Sequence, residues 1–326
     1  MSTCTSAPGK LMLAGEYVVL DGARALVAAV DRRAVACWTP ARNGSRSADR
    51  NSAESPPLPP EALLARNLAE RRFGTVSPEI TLDVSALRSG ERKLGLGSSA
   101  SGAAAVAAAV AAHAGRDVTR PDVRREVLDV ALEGHRAVAP QGSGADVAAS
   151  VLGGFVRFRS TGDGDVEAAP VPWPADLRAR VVWTGTEART SELVGKVRAL
   201  EQASPATYRD RMAALRDAAG AFVEAFCAGD APGVVAATDA HHRAMADLGD
   251  AAGAPIVEAG LARVAERARS AGGAAKPSGA GGGDVAIALF ADPSSLEAFD
   301  EACRRSGTGV LSLGLGAEGV RPDPSH

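Results

Sequence analysis

Hydrophobic and polar positions alternate most clearly at residues 80–87. Ile80, Leu82 and Val84 interleave with Thr81, Asp83 and Ser85, the period of a half-buried strand. Apolar runs at 11–20 and 25–38 predict two more strands, the first turning at Gly15 and the second interrupted by the polar Asp31, Arg32 and Arg33. Further strands are expected over 151–159, 180–184, 285–290 and 310–315. Helical spacing covers 61–73, 103–114, 122–136, 192–200, 208–228, 255–271 and 294–305. Residues 42–60, rich in Ser, Asn and Pro, predict a loop. The polar, Pro-bearing stretch 163–174 suggests a boundary, dividing the chain into 1–165 and 166–326. No internal repeat is visible. Strands and helices mix without a regular βαβ series, so the expected class is α+β in two parts.

Composition sharpens this picture. The chain has 326 residues, 46% of them apolar but only 4% aromatic, so its cores must be built from Ala, Val and Leu. No apolar run approaches the ~18 residues that span a bilayer, and residues 1–6 carry no apolar signal core. A net charge of −3 argues against a nucleic-acid partner. The expectation is a soluble, cytoplasmic protein with no membrane contact. The four cysteines (Cys4, Cys37, Cys227, Cys303) are far apart in sequence and form no Cys-x-x-Cys pair, which argues against a disulfide scaffold or a zinc site. His241 and His242 are adjacent, and neighbours on a helix point to different faces, so a metal pair is not expected. Only four of the 36 basic residues are lysines: Lys10, Lys93, Lys196 and Lys276.

Three of those lysines stand in or beside glycine-rich segments. Lys93 precedes Leu94-Gly-Leu-Gly-Ser-Ser-Ala-Ser101, which runs directly into an Ala-rich helix. Glycines let the backbone approach a ligand, and the helix N-terminus aims free N–H groups at it. Such a segment is a phosphate cradle, although no Gly-Lys-Ser/Thr follows and it is not a P-loop. A flexible Gly/Ser linker is the alternative, and the immediate helix argues against it. Lys276 opens Lys276-Pro-Ser-Gly-Ala-Gly-Gly-Gly-Asp284, a tight loop before an apolar strand that could close over an anion or be a plain loop. Lys10 lies in Ala7-Pro-Gly-Lys-Leu-Met-Leu-Ala-Gly15, at a strand mouth where a cation is often only solvated. A fourth segment, Gln141-Gly-Ser-Gly-Ala-Asp-Val147, places Asp146 beside a small-residue turn, where an N-cap is the simplest reading.

In order along the chain, these segments resemble the three motifs and the catalytic aspartate of the GHMP kinase superfamily, which includes galactokinases, homoserine kinases and mevalonate kinases. The likeness extends over essentially the whole chain. Gly15-Glu-Tyr-Val-Val-Leu20, Val30-Asp-Arg32, Trp183-Thr-Gly185, Thr190-Ser-Glu-Leu-Val194 and the full third motif are most similar to the phosphomevalonate kinase branch. Mevalonate kinases carry a magnesium-binding Glu eleven residues before the aspartate. Here that position is His135, so the resemblance carries no metal role to it.

The resemblance implies an N-terminal domain like the second domain of ribosomal protein S5 and a ferredoxin-like C-terminal domain, with ATP and acceptor in the cleft between them. It implies transfer of the ATP γ-phosphoryl to (R)-5-phosphomevalonate by a monomer or homodimer, with residues 61–73 bordering adenine. Lys10 would stabilise the transferring charge, and Asp146 would hold Lys10 or orient the acceptor. Gly95, Leu96, Gly97, Ser98, Ser99, Ala100 and Ser101 would cradle ATP, with Ser99 ligating Mg2+. Lys93, Ser143, Gly144 and Ser191 would hold the acceptor phosphate, and Ser278, Gly279, Ala280 and Gly281 would close over the transferring group. Lys276 reads as a loop anchor and Lys196 as a helix surface residue. The rival readings are another small-molecule kinase of the family, the related diphosphomevalonate decarboxylase, and a non-catalytic ligand-binding relative.

Overall fold

A computed structural model describes residues 3–38, 56–77, 79–162 and 165–323. Two long apolar strands, β1 (Thr3–Ala14) and β2 (Ala25–Trp38), pair antiparallel and found the first sheet. The polar break expected at Asp31–Arg33 does not end β2. The register passes from Pro8↔Arg33 to Gly9↔Val30, so the excess residues bulge while the strand continues. After α1 (Pro60–Phe73), β3 (Ile80–Asp83) pairs with β2, and the alternation that predicted a longer strand ends in a short 3-10 turn at Ser85–Leu87. A small hairpin, β4 (Arg88–Ser89) and β5 (Arg92–Lys93), leads into α2 (Ser98–His113). Every residue of α2 from Ala100 to Ala111 is buried. Its methyl-sized side chains let β1, β2, α1, α3 (Pro121–Val138) and α4 (Ala145–Leu152) approach it closely, which is how so few aromatics suffice for the core.

β6 (Phe155–Ser160) and β7 (Val166–Val171) form a hairpin that completes one edge of this sheet, in the order β12-β1-β2-β6-β7. The boundary expected at 165/166 therefore falls inside a hairpin, and the chain leaves the first sheet only after Val171. β12 (Arg321–Pro322) returns from the far end of the chain to pair with β1. Arg33 fastens that return, donating to Glu318 O at 2.7 Å and Gly319 O at 2.6 Å.

The second unit holds β8 (Arg178–Trp183), α5 (Thr190–Ala203), α6 (Pro205–Ala228), α7 (Ala231–Ala252), α8 (Ala259–Ser270), β9 (Ala274–Pro277), β10 (Val285–Phe290), α9 (Pro293–Arg305) and β11 (Gly309–Leu311). Its sheet order, β11-β8-β10-β9, is that of a ferredoxin-like fold with extra helices between the first two strands. α7 was not expected from the sequence: Pro232 and Gly233 near its start and its Ala and Asp content blur the periodicity. Asp230 caps it, accepting from Gly233 N at 3.0 Å, and the proline occupies the first turn, where its missing N–H costs nothing.

The cysteine expectation is corrected. Cys4 and Cys37 are direct partners across β1 and β2 and form a disulfide; Cys227 and Cys303 are free. Separation along the chain hid a pair that antiparallel register brings together. Among the described residues no helix is long and apolar enough to cross a membrane. The predicted loop at 42–60 lies outside the described residues as far as position 55.

Candidate active site

A cleft of about 1070 Å³ opens between the two units. Lys10, Lys93, Ser99, Ser143, Asp146, Ser191, Gly279 and Ala280 all line it, although the sequence spreads them over 270 residues. His135, Glu61, Glu187, Arg189, Arg198 and Asp284 join them.

The second motif is shaped by two glycines. Gly95 and Gly97 have φ of 74° and 77°, a backbone that side-chain-bearing residues rarely adopt. A Cβ on Gly97 would meet Lys10 Cγ at 2.8 Å, and one on Gly95 would meet the Asp284 carboxylate at 2.6 Å. Glycine here lets a lysine stem and a carboxylate lie directly on the loop. Lys10 is locked from both ends. Its backbone N–H donates to Leu96 O at 2.8 Å, and Nζ donates to Gly95 O at 3.4 Å. α2 begins immediately after Gly97 with no side chain capping it, which leaves the amides of its first turn for an anion.

The cradle residues divide by role. Ser99 lines the cleft, and its Oγ is buried without a hydrogen-bond partner. Leu96 and Ala100 turn their side chains into the core. Ser101 is fully buried and its Oγ donates to Gly97 O at 3.0 Å, so its hydroxyl closes its own helix turn.

Asp146 is not the N-cap of α4. Gly144, with φ of 82°, holds that place, and Asp146 sits in the first turn, where the helix dipole favours a carboxylate. Its Oδ1 accepts from Val147 N at 3.0 Å, and its Oδ2 lies 3.9 Å from Nε2 of the buried His135. Among the described residues no ion pair within 4.0 Å joins Asp146 to Lys10, so the expected holding contact is not made in this structure. Ser143 Oγ accepts from Ala145 N at 3.2 Å and faces the cleft. Ser191 lies exposed in the first turn of α5, on the opposite wall.

The third motif is clamped from beneath. Ser278 Oγ accepts from Met12 N at 2.9 Å, Gly279 N donates to Glu16 Oε1 at 3.2 Å, and Tyr17 OH donates to Ala280 O at 2.6 Å. The Ser278 hydroxyl and Gly279 amide, in the loop expected to close over the transferring group, therefore fasten that loop to β1 and to Glu16 just beyond the first motif. Lys276 Nζ, buried, pairs with Glu16 and donates to Pro277 O at 2.7 Å. His241 Nε2 lies 3.2 Å from Glu16 Oε2, which explains one member of the histidine pair without a metal. Burial alone would raise the Glu16 carboxyl, but Lys276 and His241 overcome it and hold it down at about 2. This cluster was invisible in the sequence, because its members lie 225 and 260 residues from Glu16.

Two family models match the chain: the GHMP kinases N terminal domain over residues 63–154 and the GHMP kinases C terminal domain over residues 222–308. The chain is 30% identical to a phosphomevalonate kinase of Streptomyces sp. (strain CL190) over 95% of each protein. It is 31% identical to a mevalonate kinase of Aeropyrum pernix over 97% of each. The fold superposes on Streptococcus pneumoniae phosphomevalonate kinase, solved with phosphomevalonate and AMPPNP, with a TM-score of 0.78 at 19% identity, covering 96% of this chain and 99% of that one. By sequence, by fold and by the arrangement of its three glycine motifs around one cleft, the chain belongs to the GHMP kinase family.

Proposed function

We propose that the protein transfers the γ-phosphoryl group of ATP to the phosphate of (R)-5-phosphomevalonate, giving 5-diphosphomevalonate and ADP. The observation that carries this reading is the convergence of Lys10, Lys93 and the uncapped N-terminus of α2 on one cleft, with Ser143 and Ser191 on its walls. Phosphoryl transfer is chiefly positioning and charge neutralisation. A phosphate monoester has a second pKa of ~6, so at neutral pH the acceptor is already a nucleophile. The obstacle is repulsion between two anions, and cations and amide N–H groups answer it better than a base does.

Roles follow from that balance. The α2 amides receive the ATP phosphates, Lys10 bridges donor and acceptor charges, and Lys93 with Ser143 and Ser191 holds the acceptor phosphate. The amide of Ala280, which lines the cleft and which the clamp beneath the third motif leaves free among the described residues, is assigned to the transferring group; Gly281 is buried behind it and does not line the cleft. The orphaned Ser99 hydroxyl suits Mg2+, a hard cation that takes oxygen ligands and would neutralise ATP phosphate charge when bound.

Asp146 orients rather than deprotonates. A general base contributes about 10²–10⁴-fold, so a smaller role predicts a smaller loss. Asp146→Asn is expected to lower kcat by about tenfold, with no recovery at alkaline pH in a kcat–pH profile. Recovery at high pH would assign proton removal instead.

The reading is tested by incubating the protein with ATP, Mg2+ and each of mevalonate, phosphomevalonate and homoserine, and identifying the product by mass spectrometry. A diphosphate product from phosphomevalonate is expected. A product from mevalonate alone would move the acceptor to a hydroxyl, and the near-equal likeness to a mevalonate kinase makes that the second reading.

A further inference from the structure

Asp284 ends the third motif, and nothing in the mechanism above uses it. It is one of two non-glycine residues among those described with positive φ, at 54°. Holding a side chain there costs of order 1–3 kcal/mol and persists where the surroundings over-determine it. The surroundings here are a single turn, residues 184–189, which leads into α5. Asp284 N donates to Thr186 O at 2.6 Å. Asp284 O accepts from Thr184 N at 2.9 Å and from Thr184 Oγ1 at 3.0 Å. Its carboxylate Oδ1 accepts from Ala188 N at 3.0 Å. The rest of the carboxylate lies on Gly95 of the second motif. Lys93 N donates to Glu187 Oε1 at 2.6 Å, tying the same turn to the approach to that motif.

We propose that Asp284 is a positioning residue for the acceptor: it fastens the 184–189 turn, and with it the first turn of α5, to the two glycine motifs that handle the nucleotide. The consequence is geometric. Thr190 and Ser191 begin α5 immediately after the turn and face the cleft. Their distance from the second motif is set through the Asp284 hydrogen bonds, because Gly281, Gly282 and Gly283 before Asp284 have φ between 72° and 141° and supply no side-chain wall of their own. Burial pushes the Asp284 carboxyl up from its ordinary value, while the Ala188 amide that it accepts from and the Lys10 charge pull the other way. The inference rests on the reading that α5 borders the acceptor half of the cleft.

The test separates the clasp from general damage. Asn tolerates left-handed backbone and keeps an oxygen for the Ala188 amide, whereas Ala keeps neither advantage. Asp284→Ala is expected to raise the KM for the acceptor by about tenfold or more, with the KM for ATP within threefold of the parent. Asp284→Asn is expected to restore the acceptor KM to within about threefold. Tryptic cleavage after the exposed Arg189 of the unliganded protein is expected to speed up in Asp284→Ala and not in Asp284→Asn, and this readout does not depend on which acceptor is correct. An Ala variant with an unchanged acceptor KM, a parallel rise in both KM values, or an Asn variant as impaired as Ala would each overturn the proposal. A parent enzyme that phosphorylates a different acceptor would overturn the functional reading while leaving the cleavage result to decide the clasp.

Discussion

Lys10→Met is expected to lower kcat by about 10²–10³-fold while the KM for ATP changes by no more than about threefold. Two charges ~4 Å apart interact by about 4 kcal/mol at an effective dielectric near 20, which corresponds to about 10³ in rate if it acts only at the transition state. In the proposed mechanism Lys10 acts there. Its stem lies on Gly97, its amide is tied to Leu96 O, and its ammonium reaches the Gly95 carbonyl at the mouth of the cradle. The nucleotide phosphates have the α2 amides to bind to, so ground-state affinity should survive the loss of this one charge. Lys10→Arg is expected to fail as well, because a planar guanidinium does not fit over the glycine turn that accepts a slender alkyl stem. Lys196, half-exposed on α5 and 3.6 Å from Glu192, is the internal control, and Lys196→Arg should leave kcat unchanged. Steady-state kinetics with ATP and acceptor varied separately decides the matter. A Lys10→Met variant with kcat within threefold of the parent removes Lys10 from the chemistry.

Lys276→Met is expected to destabilise the protein by about 3–5 kcal/mol, because it leaves the Glu16 carboxylate buried without its cation. For a chain of this length that is a fall of roughly 4–7 °C in Tm by calorimetry. The double variant Glu16→Gln/Lys276→Met should recover much of the loss, since a buried pair replaced at both ends is often close to neutral. The pH dependence has a definite sign. The folded Glu16 carboxyl is held down at about 2, below its ordinary value of 4.5, so its contribution is present above pH 4.5 and lost as pH falls toward 2. Lys276→Met should therefore flatten the acid limb of the stability curve between those values. A variant as stable as the parent at pH 7 would mean that His241 alone compensates the carboxylate.

The residues that line the cleft were more legible in the sequence than the scaffolding around it. Glycine-rich segments announce themselves because only glycine accepts the backbone and the close contacts found at Gly95 and Gly97. The lysines announced themselves by scarcity. What stayed hidden was pairing at a distance. Lys276 and His241 drew notice one at a time, with no partner for either, and only the packing of β9 and α7 against the turn after β1 joins them to Glu16. The cysteine pair was missed for the same reason. α7 was missed because small residues weaken the contrast on which helical periodicity depends, and β7 because its polar, Pro-containing pattern suits an edge strand as well as a linker. Ser101 and Ser278 lie within motifs yet turn their hydroxyls to the protein itself, a distinction no linear pattern carries.

The return of β12 to β1 has a consequence for synthesis. The two edges of the first sheet are completed by strands about 150 positions apart, and Arg33 waits for carbonyls at Glu318 and Gly319. As the chain leaves the ribosome, its first unit can collapse around α2 but cannot finish until the entire second unit has emerged. Until then the edge of β1 at Thr5 and Ser6 has no strand beside it, and β12, made after every other described strand, is the one that pairs there.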